Sequence, residues 1–381
     1  MKELFDNIIL FAAIQGFLFS VFLFRKKQNR EANKVLAFAI LCLSINLVVV
    51  YLSILKVYEK YPILYGATLG FSLLYGPLFY LYTLLLTKRV KKIGPKHLFH
   101  FIPFIFIRLY LIPYYFLSHQ EKLIQIEKSS YDGDLILNVY SLFMPIYGFI
   151  YTVLSLKVIK KFNEDIKIHF SNIDKIKVNW LRFIIIGGLL VWIVIAFAFL
   201  INIFFSEESN GFNPVYLAIS VFIYAIGYSA LNQPEIFIDL QPIPEQEAAE
   251  KIKGKYEKSY LADADIEGIK QSLISLMQKE KLFLNSELNI NQISEKLNIT
   301  NHNLSEVLSK AFNKNFYDFI NSYRVEEFKE RIKNPDFSNY SLLAIAFESG
   351  FSSKSTFNTI FKKYTKTTPS EYRKQNTQKL F

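Results

Sequence analysis

The sequence predicts an all-α protein in two parts, a seven-helix transmembrane domain followed by a soluble domain of two short helical pairs joined by a linker helix. Three observations carry this. Long uncharged apolar runs fill the first 231 of 381 positions. The loops between them alternate between rich and poor in Lys and Arg. After position 285 the apolar residues repeat at helical spacing, with polar breaks.

Hydrophobic residues make up 51% of the chain, with 37 Phe and 24 Tyr, and charged residues only 20%, which excludes a single soluble globule. The single cysteine, Cys42, lies inside an apolar run, so neither a disulfide framework nor a cysteine metal site is available. It reads as a small buried residue of a span. The five histidines (His97, His100, His119, His169, His302) lack metal-ligand spacing. No Walker or Rossmann glycine pattern is present, and nothing around His169 reads as a kinase-like phosphoacceptor. No enzyme, cofactor or metal is expected.

A helix needs about 20 apolar residues to cross the hydrocarbon core. Seven segments qualify: 7–25, 35–55, 63–87, 98–118, 135–156, 183–205 and 213–231. The fourth carries Arg108 with Pro103 and Pro113, and the seventh begins near Pro214. Lys and Arg near span ends are retained on the cytoplasmic side. The first, third and fifth loops hold 5, 5 and 7 basic residues, the alternate loops 2, 2 and none. This predicts an outside N-terminus and delivers everything after residue 231 into the cytoplasm, a multi-pass membrane arrangement. A cleaved signal peptide is the rival reading of the first run, but its positive charges follow the apolar stretch and no small-residue cleavage site stands out.

Residues 232–284 read as a juxtamembrane linker, with Pro234, Pro242 and Pro244, then an amphipathic helix. Its stripe is Ile266, Ile269, Leu273, Leu276, Met277 and Leu282, which either packs on the following domain or forms a dimer.

In 285–381, Ile290, Ile293 and Leu297 mark a short helix, Asn298 to Thr300 a turn, and Leu304, Val307, Leu308, Ala311 and Phe312 one face of a second helix. Two helices about a three-residue turn make a helix-turn-helix unit, whose second helix enters the major groove of DNA. Its open face carries Asn301, His302, Asn303, Ser305, Glu306 and Ser309. The pattern returns with Leu342, Leu343, Ile345, Ala346 and Phe347, a turn entered through Glu348 to Phe351, and a helix burying Phe357, Ile360, Phe361 and Tyr364. Lys354, Ser355, Thr356, Asn358, Thr359 and Lys362 are left facing outward. Amides and hydroxyls can read base edges, and Lys can hold phosphates. Between the units, residues 315–334 repeat Phe316, Phe319, Ile320, Tyr323, Phe328 and Ile332 at helical spacing. Twenty residues of helix span about 30 Å, close to the roughly 34 Å between successive major-groove faces.

The motifs NITNHNLSEVLSKAFNKNFYDFINSYRVE and LLAIAFESGFSSKSTFNTIFKKYTKTTPSEYR resemble the DNA-binding domain of the AraC/XylS family of bacterial transcription regulators. The seven preceding spans, with YGPLFYLYT and HFIPF, are similar to the membrane-embedded members of that family. The resemblance implies control of transcription through a bipartite promoter site. The partners expected are double-stranded promoter DNA, the lipid bilayer, RNA polymerase, a second copy of the chain and an unidentified small-molecule or membrane ligand. Family members often carry Arg or Gln midway along the first recognition helix, where this chain has Ser305 and Glu306, so the second unit is the firmer base reader. Residues 283–381 hold 14 Lys plus Arg against 10 Asp plus Glu, so affinity leans on dimerisation or membrane confinement rather than on bulk charge.

A charge in mid-span needs a partner or a cavity. No Asp or Glu lies inside any expected span, so Arg108 is a candidate for a ligand pocket with Gln15, Asn46, Asn138 or Asn202. Bonding to backbone carbonyls, or snorkelling to the outer interface, is the alternative. A transporter with a regulatory tail and a passive anchor on a transcription factor are the rival architectures.

Overall fold

Apolar runs with few breakers fold as long helices because each turn buries its own backbone polar groups, the one economical solution where side chains supply no partners. The computed structural model describes residues 2–129, 135–174, 176–205, 213–231 and 261–377. Among these the protein is all-α, and the only bridge outside helices is an isolated antiparallel pair, Phe170 with Asn289. The linker prolines Pro234, Pro242 and Pro244 lie outside the described residues.

The chain divides into two compact units, residues 1–160 with 178–242, and residues 161–177 with 243–381. The first holds α1 (Lys2–Arg25), α2 (Arg30–Ile54), α3 (Ser72–Leu86), α4 (Ile102–Tyr110), α5 (Ile112–Phe116), α6 (His119–Ser129), most of α7 (Leu135–His169), α8 (Asn179–Phe205) and α9 (Asn213–Leu231). Among the described residues, five stretches are long and apolar enough to cross a membrane: Leu4–Arg25, Arg30–Ile54, Pro95–Phe116, Leu135–His169 and Asn179–Ile201. Ser72–Leu86 and Pro214–Ala230 are apolar but shorter. The expected third span is therefore helical only in its second half. Residues 66 and 70 are glycines with φ of 70° and 91°, which keep the chain in turns until Ser72. The fourth is interrupted near Leu111, because Pro113 has no amide hydrogen to continue the ladder.

Around these helices apolar side chains point outward as well as inward. Phe11, Phe24, Phe106, Phe183 and Phe197 are all exposed, a surface compatible with a membrane anchor. α1 packs on α2 and α9, α2 on α3, and α8 on α9. Contact between α1 and α9 depends on Gly227, where a Cβ would run into the Phe19 ring. Small residues at such crossings let helices approach closely. Gly227→Val should cost about 1–3 kcal/mol by overpacking, read as a lower unfolding temperature in detergent. An unchanged midpoint would mean that Phe19 swings away freely.

The second unit holds α10 (Asp263–Glu280), α11 (Ile290–Lys296), α12 (Asn301–Phe312), α13 (Phe316–Arg331), α14 (Leu342–Glu348), α15 (Lys354–Thr365) and α16 (Pro369–Thr377). Nearly every start is set by a side-chain cap. Asn289 and Gln292 form a capping box at α11, and Thr300, Asn315, Ser341 and Ser353 each accept an amide bond at α12, α13, α14 and α15. α10 packs on the domain that follows it, burying Ile266, Leu273 and Met277. Leu273 and Met277 join Phe283, Leu288, Ile293, Leu304, Leu308, Phe316 and Ile320 in one core. A further set of buried rings links α13 to α15, with Phe328 4.7 Å from Phe357 and 5.2 Å from Phe361 between ring centres. One helix, α13, thus contributes to the packing of both helical pairs. It is shorter than the 315–334 stretch expected: 16 residues, a rise of about 24 Å. It stops before Pro335, which disfavours helix at Asn334.

Candidate nucleic-acid interface

The two helical pairs are closed in the same way. At the end of α11, Asn298 takes φ of 53° and the Ile299 amide donates to the Ser294 carbonyl at 3.0 Å. At the end of α14, Gly350 takes φ of 93° and the Phe351 amide donates to the Ala346 carbonyl at 3.1 Å. Both are left-handed caps with a six-to-one bond, which turn the chain sharply and release it into the next helix. The second turn is one residue longer, since the cap of α15 is Ser353 whereas that of α12 is Thr300.

On α12, His302 and Ser309 are exposed, and Asn303, Ser305 and Glu306 are half-buried. Asn301 is committed within the pair: its Nδ2 donates to Asn291 and its Oδ1 accepts from Ser294, each at 2.5 Å. Glu306 pairs with Lys310 at 2.7 Å, which neutralises part of the charge that would repel a phosphate.

On α15, Lys354, Ser355, Asn358, Thr359 and Lys362 are exposed on one side, an amide, two hydroxyls and two ammonium groups. Thr356 departs from the outward position expected of it. It is buried, and its Oγ1 donates to Asp174. Ser353 also donates to the same Asp174 oxygen, at 2.5 Å, while accepting the Thr356 amide at 3.2 Å. Burial by itself would push the Asp174 carboxyl up. The hydroxyls of Ser353 and Thr356, with Lys177 nearby, outweigh it and hold the group below the usual carboxylate range, so it is ionised at neutral pH.

Asp174 belongs to a segment that no local pattern places here. The Ser171 amide and hydroxyl both donate to the Leu288 carbonyl, at 3.1 and 2.6 Å. Its own carbonyl accepts from Asn321 at 3.2 Å and Arg324 at 3.1 Å. Arg324 is 2% exposed and also donates to the carbonyls of Phe283 and Asn285, both at 2.8 Å, to Asn321 and to the Ser171 hydroxyl. Burial lowers its pKa to about 10, still far enough up to keep it charged at neutral pH. The local signal is the apolar residues set among the basic ones of this loop, of which Phe162, Ile166, Ile173 and Val178 are buried.

In the first unit, Arg108 donates to the carbonyls of Ala67 at 3.0 Å and Leu69 at 3.4 Å, and lies over the Tyr115 ring. Asn46 meets the same segment, accepting from Thr68 at 3.5 Å and donating to Tyr75 at 3.2 Å. Gln15 is half-buried on α1, and Asn138 is exposed on α7. The Asn202 side chain lies outside the described residues. Binding to carbonyls of an irregular segment supports a locking role for Arg108 over a ligand contact.

A family model described as a helix-turn-helix domain matches residues 293–375, the stretch from within α11 into α16. The C-terminal part of the chain thus carries a helix-turn-helix domain. An uncharacterized HTH-type transcriptional regulator of Staphylococcus aureus (strain COL) is 28% identical over 93 residues, which are 24% of this chain and 12% of that protein. No solved structure matches at a significant level.

Proposed function

We propose that the protein is a membrane-anchored transcription regulator of the AraC type, which binds promoter DNA in the cytoplasm through two helix-turn-helix units. The observation that carries this reading is the pair of recognition helices, α12 and α15, each set behind a left-handed turn and both packed on α13. Their open faces offer amides, hydroxyls and lysines rather than apolar surface, as readers of bases and phosphates require. Seven spans with an outside N-terminus are supported by the alternation of basic loops and by the apolar outward faces of the helices. In this reading a membrane or extracellular stimulus shifts the population of DNA-binding states, and a second copy and RNA polymerase complete the assembly at the promoter.

The test is salt-dependent binding of the full chain, in lipid nanodiscs, to duplexes selected from a random pool. Replacing Lys354 and Lys362 together by Ala should weaken every duplex and lower the slope of log affinity against log salt by about 2. Asn358→Ala should instead relax discrimination at one base position, by about 1–3 kcal/mol. Failure of the intact protein to enrich any duplex would overturn the reading.

A further inference from the structure

We propose that residues 170–174 form an intrachain brake: the Asp174 carboxylate occupies the first turn of the second recognition helix, and DNA must displace it to bind there. The proposal rests on the DNA-binding reading and adds to it a means of control.

The segment has an anchor and a tip. The anchor is Ser171, fully buried and bonded to Leu288, Asn321 and Arg324, with Phe170 paired to Asn289. The tip is Asp174, which accepts hydrogen bonds from the hydroxyls of both Ser353 and Thr356. These two hydroxyls sit at the cap and in the first turn of α15. Recognition helices approach the major groove with their N-terminal residues, and hydroxyls and amides there are the usual donors to phosphate oxygens. A carboxylate already holding those donors removes them and adds a negative charge where a phosphate would come. Two such charges at about 4 Å repel appreciably at a protein surface, even with salt screening.

The position of the segment in the chain supplies the control. It joins α7 to α8, and both helices are apolar and long enough to cross a membrane. The residues that touch α15 are thus covalently continuous with the helices of the anchor, whereas the module itself follows more than a hundred residues later. A shift of either helix end that withdraws Asp174 frees the α15 hydroxyls. A segment serving only to glue the module together needs the Ser171 anchor but not a carboxylate on the reading helix.

The experiment measures binding of the full chain in lipid nanodiscs to a random-sequence duplex about 40 base pairs long, long enough for two successive half-sites. Asp174→Ala should bind about tenfold more tightly than wild type, whereas Asp174→Glu, which keeps the charge, should stay within about twofold. Equal or weaker binding by Asp174→Ala overturns the brake. A second measurement does not depend on how the variants fold: saturating wild type with the duplex should speed amide hydrogen exchange across 170–178, and unchanged or slower exchange there overturns the proposal. If wild type and Asp174→Ala alike bind no better than a Lys354→Glu, Lys362→Glu double variant, it is the DNA-binding reading that fails, and the brake with it.

Discussion

Replacing Arg324 with leucine should lower the stability of the helix-turn-helix module by about 3–5 kcal/mol. The guanidinium is almost fully enclosed and makes bonds to three backbone carbonyls, those of Phe283, Asn285 and Ser171, besides two side chains. A leucine fills part of the volume but leaves the Phe283 carbonyl without its donor, at a cost of about 1–3 kcal/mol, and takes from the Asn285 and Ser171 carbonyls one donor each, leaving them those of Leu288 and Asn321. Glu287 acts on this arginine electrostatically, but the bonds it makes are to carbonyls, an amide oxygen and a hydroxyl, so the loss is chiefly one of hydrogen bonding and packing. Lysine at this position keeps the charge but not the planar fork, so Arg324→Lys should recover only part of the loss. Amide exchange of Val325 to Phe328 in the full-length protein reads the effect directly, with protection falling by about a hundredfold or more for leucine. Protection within about tenfold of wild type would show that the carbonyls find other partners.

What the sequence disclosed and what it hid divide along contact range. The helices of the module were legible because periodicity and capping are local: Leu304, Val307 and Leu308 share a face whatever surrounds them, and Thr300 caps whatever follows. The open face of α15 was legible for the same reason, apart from Thr356. Its turn toward Asp174 depends on a residue 182 positions away. Arg324 hid for a related cause. In SYRVEEFKER it reads as one more charge on a solvated helix face, and only the arrival of Ser171 from 153 residues upstream makes its burial tolerable. The domain division hid too. A basic loop between two apolar helices announces topology, and nothing in its composition says that its middle folds onto the module. In the first unit the apolar runs announced helices but overstated the length of the third, because the left-handed turns at Gly66 and Gly70 outweigh the apolar character of residues 63–71.

Gly350→Ala should rival the loss of Arg324, at about 3 kcal/mol or more, because two independent penalties meet at one carbon. The first is conformational. At φ of 93° a Cβ meets its own backbone, and a residue with a side chain held there costs about 1–3 kcal/mol. The second is spatial: the added Cβ would run into the Phe283 carbonyl oxygen and come within 3.0 Å of the Arg324 Nε and the Leu284 Cα. Two of these three atoms are backbone and cannot swing aside. The Phe283 carbonyl is also the acceptor of the Arg324 Nε, so relieving the clash loosens the same buried arginine. Gly350 is therefore where the turn of the second helical pair rests on the loop that leads into the first. Asn298 gives the contrast within one molecule: its φ is 53° and its side chain is exposed, so Asn298→Gly should change stability by no more than about 0.5–1 kcal/mol. Exchange protection in α13 and α15 compares the two variants, and the Gly350→Ala, Arg324→Leu double variant should lose clearly less than the singles combined, since both act on one carbonyl. Strict additivity would separate the turn from the arginine and break the link drawn here between the two helix-turn-helix units.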